Sequence, residues 1–124
     1  MPDFHVFTLF VAFNAVLLTL LALNVSRVRI GLRIPNGDGN SIPMKKAIRA
    51  QANGVEQVVV FALVLLALTY QALSPEWLLM LAVAFSVARV VHALGMLKPH
   101  ILARQLGAAL TFALQIVGAL LLVF

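Results

Sequence analysis

Cysteine is absent from this chain of 124 residues. The absence excludes disulfides, thiolate metal sites and a protein-borne thiol nucleophile, so any thiol chemistry must use sulfur brought by a ligand. Charge is scarce too: 10% of residues are charged, and the carboxylates are Asp3, Asp38, Glu56 and Glu76. By contrast 63% of residues are hydrophobic and mean hydropathy is +1.06, well beyond the ~45–50% apolar usage of soluble domains. Such a chain cannot cover itself with polar surface. Met1 to His5 carries Asp3 and no Lys or Arg, which is not the basic start of a secretory signal, so the first apolar run is expected to be retained.

A helix needs ~20 apolar residues to cross ~30 Å of hydrocarbon. Four spans with short turns therefore use nearly the whole length, and residues 1–124 read as one domain. The expected fold class is an all-α membrane protein, a four-helix transmembrane bundle with spans at about 4–25, 44–73, 76–97 and 101–124. The first span stops at Arg27, Arg29 and Arg33, and Ile34 to Ser41 supplies a polar turn rich in Pro, Asn and Gly. Pro43 suits the opening of the second helix, and Ser74-Pro75-Glu76 reads as a helix start with Ser74 as N-cap and Glu76 at the positive end of the dipole. Lys98-Pro99 closes the third span.

All nine Lys and Arg lie toward one end of these spans, which predicts cytoplasmic basic loops and both termini on the non-cytoplasmic side. The net charge of +5 and pI near 10.9 follow from those flanking cations, so nucleic acid is not an expected partner. Arg27, Arg29, Lys45 and Lys46 read as topology determinants and anionic-lipid contacts.

The polar residues inside the spans form a pattern. Arg49, Asn53 and Glu56 follow one stripe of the second helix, and Arg89 and His92 share a face of the third, with Met96 one turn on. Glu56 and Arg89 reach similar depth on adjacent helices. A charge at the bilayer centre costs at least ~2.5–3.5 kcal/mol, which predicts a buried Glu56–Arg89 ion pair with Asn53 bonded nearby. That pair either locks helix register or braces a polar cavity. Gln51, Gln57, Arg104 and Gln105, expected at the same depth, favour the cavity. Asn14 and Gln115 read as interhelical hydrogen-bond glue, and Gly107 and Gly118 as packing surfaces.

Arg49-Ala-Gln-Ala-Asn53-Gly-Val-Glu56 followed by an apolar span resembles the second-helix signature of the MAPEG family, the membrane-associated proteins in eicosanoid and glutathione metabolism. Arg89-Val-Val-His92 with Gly95-Met96, Arg104 at the start of the fourth helix, and the four-span length agree, and Gly37-Asp38-Gly39 is similar to the small bacterial branch. The resemblance implies a homotrimer in the bacterial inner membrane that binds glutathione as cosubstrate between subunits, with no metal. It further implies that Arg49, Asn53, Glu56, His92 and Arg104 line or brace the glutathione site, with Arg104 the catalytic group holding the thiolate, and Arg89, paired with Glu56, is expected to brace the same site.

The implied activity is a transferase or peroxidase acting on a hydrophobic small molecule that enters from the bilayer. Ala52, Met96 and Gln105 depart from the pattern of the eicosanoid-forming relatives and argue against prostaglandin or leukotriene synthesis. They also leave open a noncatalytic membrane protein of the same fold that binds lipid or a partner. A small transporter fits less well, since no pair of Gly/Pro-broken helices is present.

Overall fold

The computed structural model describes residues 2–98 and 100–124; Met1 and Pro99 lie outside the described residues, and with Pro99 the expected stop of the third span at Lys98-Pro99. The described residues form four helices, α1 (His5–Leu32), α2 (Ile42–Tyr70), α3 (Pro75–Leu97) and α4 (Ile101–Val123). Each is long and apolar enough to cross a membrane. The chain runs up and down, so both termini lie at one end and the basic loops at the other. α2 and α3 each touch all the other helices, whereas α1 and α4 share no close contact.

Helix limits follow local chemistry. α1 continues past the expected end of its span to Leu32, because Arg stops a membrane crossing but is a good helix former. It ends where Arg33 turns left-handed at φ 56°. Arg29 folds back there and donates to the carbonyls of Ile34 and Gly37 at 3.3 and 2.9 Å, so it clamps the loop rather than reaching for lipid. Ser41 caps α2, its hydroxyl accepting from the Met44 amide at 3.4 Å.

α2 stops at Tyr70 instead of residue 73, since the amides of Ala72 and Leu73 close back on Thr69 and Leu68. This is a Schellman ending with alanine at the left-handed position, φ 59°. Ser74 occupies the cap position of α3 but makes no side-chain cap bond; its carbonyl accepts from the Leu78 amide at 3.1 Å. At α4 the cap is His100, whose Nδ1 accepts from the Ala103 amide at 3.1 Å.

Packing divides the bundle into two zones. Toward the termini, Phe61 and Phe85 stack with ring centroids 4.1 Å apart, and Phe10 leans against both at 5.8 Å. These rings tie α2, α3 and α1 together through contact area and offset stacking. α4 docks through small residues, its buried positions being Gly107, Thr111 and Gly118. A Cβ on Gly107 would stand 2.7 Å from the His92 amide nitrogen, and one on Gly95 would stand 2.3 Å from that of Arg104. Glycine at both positions lets α3 and α4 touch backbone to backbone.

Candidate functional site

One turn beyond Phe85 toward the basic end, α3 presents Arg89, which is only 2% exposed. Its guanidinium donates to Asn53 Oδ1 on α2 at 2.5 Å and to Thr111 Oγ1 on α4 at 3.2 Å. His92 Nδ1, one turn along α3, lies 3.4 Å from the same guanidinium. Thr111 passes its own proton to the Gly107 carbonyl at 2.7 Å, so its oxygen is oriented to accept from Arg89. The Arg89 Nε proton has no partner among the described residues. A single cation thus joins three helices through neutral acceptors.

The expected Glu56–Arg89 ion pair is not formed. Glu56 is exposed on the outward face of α2, while the half-buried Asn53 points inward. Three residues along a helix rotate the side chain by about 300°, which is enough to carry Glu56 off the inward face. Arg89 is held by Asn53 and Thr111 instead. Arg104 and Gln105, expected to be buried, are exposed at the start of α4, whereas Gln51 and Gln57 are half-buried. Gln115 donates to Gln57 Oε1 at 2.9 Å, and Asn14 donates to Ser86 Oγ at 3.2 Å, both joining helices as expected of mid-span amides.

Of the six candidate residues, Asn53, Arg89 and His92 converge in the interior, and Arg49, Glu56 and Arg104 open outward. The outward placement of Arg104 has a local cause, because Gly95 allows the first turn of α4 to sit directly on the end of α3. Beside it is a cavity of about 260 Å³ whose lining includes Lys46, Met96, Lys98 and Arg104. Lys46 and Lys98 also line a second cavity of about 390 Å³, between α1, α2 and α3, together with Asn24 and Arg27. Arg27 is steered there by two bonds to Asn24 Oδ1, at 2.8 and 3.3 Å. No carboxylate lines either space. The arrangement can hold anionic groups at the basic end and place a guanidinium against a polarisable atom.

Sequence reasoning did not identify Thr111 or the role of Lys98. Thr111 carried a usable signal, a lone hydroxyl four residues after Gly107 in an apolar helix, on the face that glycine packs. Lys98 carried none, because a lysine at a span end is ordinary. Comparison with curated proteins finds no match. The family model described as MAPEG family matches residues 7–124, nearly the whole chain. Together with the four membrane-spanning helices, this establishes that the chain is a multi-pass integral membrane protein belonging to the MAPEG family.

Proposed function

We propose that the protein binds glutathione at its basic end and transfers it to hydrophobic electrophiles that arrive through the bilayer. The observation that carries this reading is the cavity beside Arg104, lined by Lys46 and Lys98 and free of carboxylates. Glutathione is a dianion at its carboxylates, which suits clustered cations, and its thiol is a nucleophile only when ionised. Arg49, Lys46 and Lys98 hold the carboxylates. Arg104 favours the thiolate by placing positive charge beside sulfur. In the transfer step the thiolate sulfur attacks an electrophilic carbon, a carbon–sulfur bond forms, and the displaced group leaves with the bonding pair. Arg89 stays out of this step and holds Asn53 and His92 in position.

The assembly is part of the proposal. Glu56 lies near the middle of α2, exposed in a single subunit, where an uncovered charge costs at least ~2.5–3.5 kcal/mol. A neighbouring copy covers it when α2 faces the symmetry axis, and we take the assembly to hold three copies, a number that family membership supports. The basic loops face the cytoplasm, where glutathione is abundant, and the termini face the opposite side of a bacterial inner membrane.

Isothermal titration with glutathione in detergent tests the binding, and no heat at millimolar ligand overturns the reading. A conjugation assay with a reactive aryl halide tests the chemistry. Arg104→Ala should lower the rate by about 10²-fold or more, the range for loss of one electrostatic stabiliser. A rate no higher than the uncatalysed reaction would return the noncatalytic alternative, and a catalysed rate indifferent to Arg104 would remove the role assigned to that residue. Native mass spectrometry from a mild detergent should show a dominant species of three chains.

A further inference from the structure

Arg27 on α1, Lys46 on α2 and Lys98 at the end of α3 converge on the cavity of about 390 Å³ at the basic end. Other cations nearby are engaged by the loop. Arg29 donates to the Ile34 and Gly37 carbonyls, and Lys45 donates to Asn40 Oδ1 at 3.1 Å. Asp38, the carboxylate of that loop, turns Oδ1 to the Asn40 amide at 2.8 Å and does not line the cavity. Among the described residues, no carboxylate lines the space where the three cations meet. Like charges drawn together destabilise the compact state unless an anion joins them.

Arg27 is set to receive such an anion. A guanidinium has an edge formed by Nε with one Nη and another formed by both Nη atoms, and either can make paired hydrogen bonds. Asn24 Oδ1 takes the first edge, accepting from Nε at 3.3 Å and from Nη2 at 2.8 Å. The second edge stays free for two oxygens of one ligand. Pro43, in the first turn of α2, lines the same cavity, so the positive end of that helix dipole adds to the field. We propose that this cavity binds a phosphate monoester, with Arg27 gripping two of its oxygens and Lys46 and Lys98 the third.

The chemistry of the donors selects that class. A carboxylate or a phosphate diester brings one negative charge, whereas a monoester carries about −1.5 to −2 near neutral pH and three strong acceptor oxygens. Three cations arriving from three directions match the monoester. Val28 and Leu97 supply apolar wall beside them, and the volume is that of a small-ligand site. The group can arrive as a lipid headgroup, since the cations stand at the ends of the spans, or on a free metabolite. Asn24 and Arg27 line this cavity and not the one beside Arg104, while Lys46 and Lys98 line both. The inference does not rest on glutathione, and its test uses none.

Isothermal titration of the full chain in a neutral detergent tests it with dihexanoyl phosphatidic acid, dihexanoyl phosphatidylglycerol and glycerol 3-phosphate. The phosphatidic acid should bind at least about tenfold more tightly than the phosphatidylglycerol of the same chain length, the value of one further charge-assisted hydrogen bond. Glycerol 3-phosphate binding as tightly as the phosphatidic acid assigns the site to free monoesters, and tighter binding of the lipid assigns it to a headgroup. Arg27→Gln should weaken the monoesters by about tenfold or more without lowering the melting temperature, because Arg27 is exposed. Arg104→Gln should leave these affinities unchanged, which separates this cavity from its neighbour. Equal affinity for the two lipids, no binding of either monoester, affinity indifferent to Arg27→Gln, or a loss in Arg104→Gln as large as in Arg27→Gln would each overturn the proposal.

Discussion

Arg89 on α3 donates to Asn53 on α2 across 2.5 Å, and Thr111 on α4 accepts from the same guanidinium. A buried cation held only by neutral oxygens depends on each of them, because losing one leaves charge without its bond. Asn53→Ala should therefore destabilise the protein by about 1.5–3 kcal/mol, the range for a hydrogen bond to a charged group. Asn53→Asp, which keeps an acceptor in place, should retain most of the stability. Thermal unfolding of both variants in one detergent checks the difference.

Glu56 and Arg89 should prove energetically independent. Arg89→Leu leaves Asn53 and Thr111 without their donor, at a cost of about 1–3 kcal/mol. Adding Glu56→Leu should not restore that loss. A double-mutant cycle should return coupling within about 0.5 kcal/mol of zero, as for residues sharing no contact. Larger coupling, or recovery of stability in the double variant, would show that the two charges meet.

Gly95 and Gly31 should respond in opposite ways to the same added methyl group. At Gly95 the new Cβ would meet the Arg104 nitrogen at 2.3 Å and its Cα at 2.8 Å, both of them backbone atoms. Gly95→Ala must push α4 away from α3, with a cost of about 1–3 kcal/mol for overpacking. Because Arg104 sits at that contact, glutathione conjugation should fall as well. Gly31 has nothing within 4 Å of its added Cβ, so Gly31→Ala should be neutral or stabilise by up to about 1 kcal/mol. Melting temperatures and aryl-halide rates for the two variants make the comparison.

Ala72→Gly should raise stability. Ala72 holds φ 59° at the end of α2, in the position of the Schellman ending that glycine usually fills. An L-residue carries about 1–2 kcal/mol of strain there. Glycine relieves it, offset by about 0.4–1 kcal/mol of extra chain entropy in the unfolded state. The expected net gain is about 0.5–1 kcal/mol, readable as a higher melting temperature. A lower one would show that the Cβ of Ala72 makes contacts worth more than the strain.

Four long apolar runs and the turn chemistry between them were legible without coordinates, because a bilayer demands about 20 apolar residues per span and internal backbone hydrogen bonds. Pro43 and Pro75 near helix starts, the loop from Ile34 to Ser41, and the interhelical roles of Asn14 and Gln115 follow from the same local rules. So does the concentration of polar residues on α2 and α3, since a buried polar group in a membrane needs partners. Which groups become partners was decided by the tertiary structure. A difference of three residues along α2 separates an inward Asn53 from an outward Glu56, and only the rotation of α2 against α3 chooses which of them Arg89 meets. How α2 sits in turn depends on where glycines permit close approach, at Gly54 against Leu18 of α1 and at Gly118 of α4 against Val64 of α2. Periodicity places residues on a face of one helix; packing of small residues against a neighbour decides where that face points.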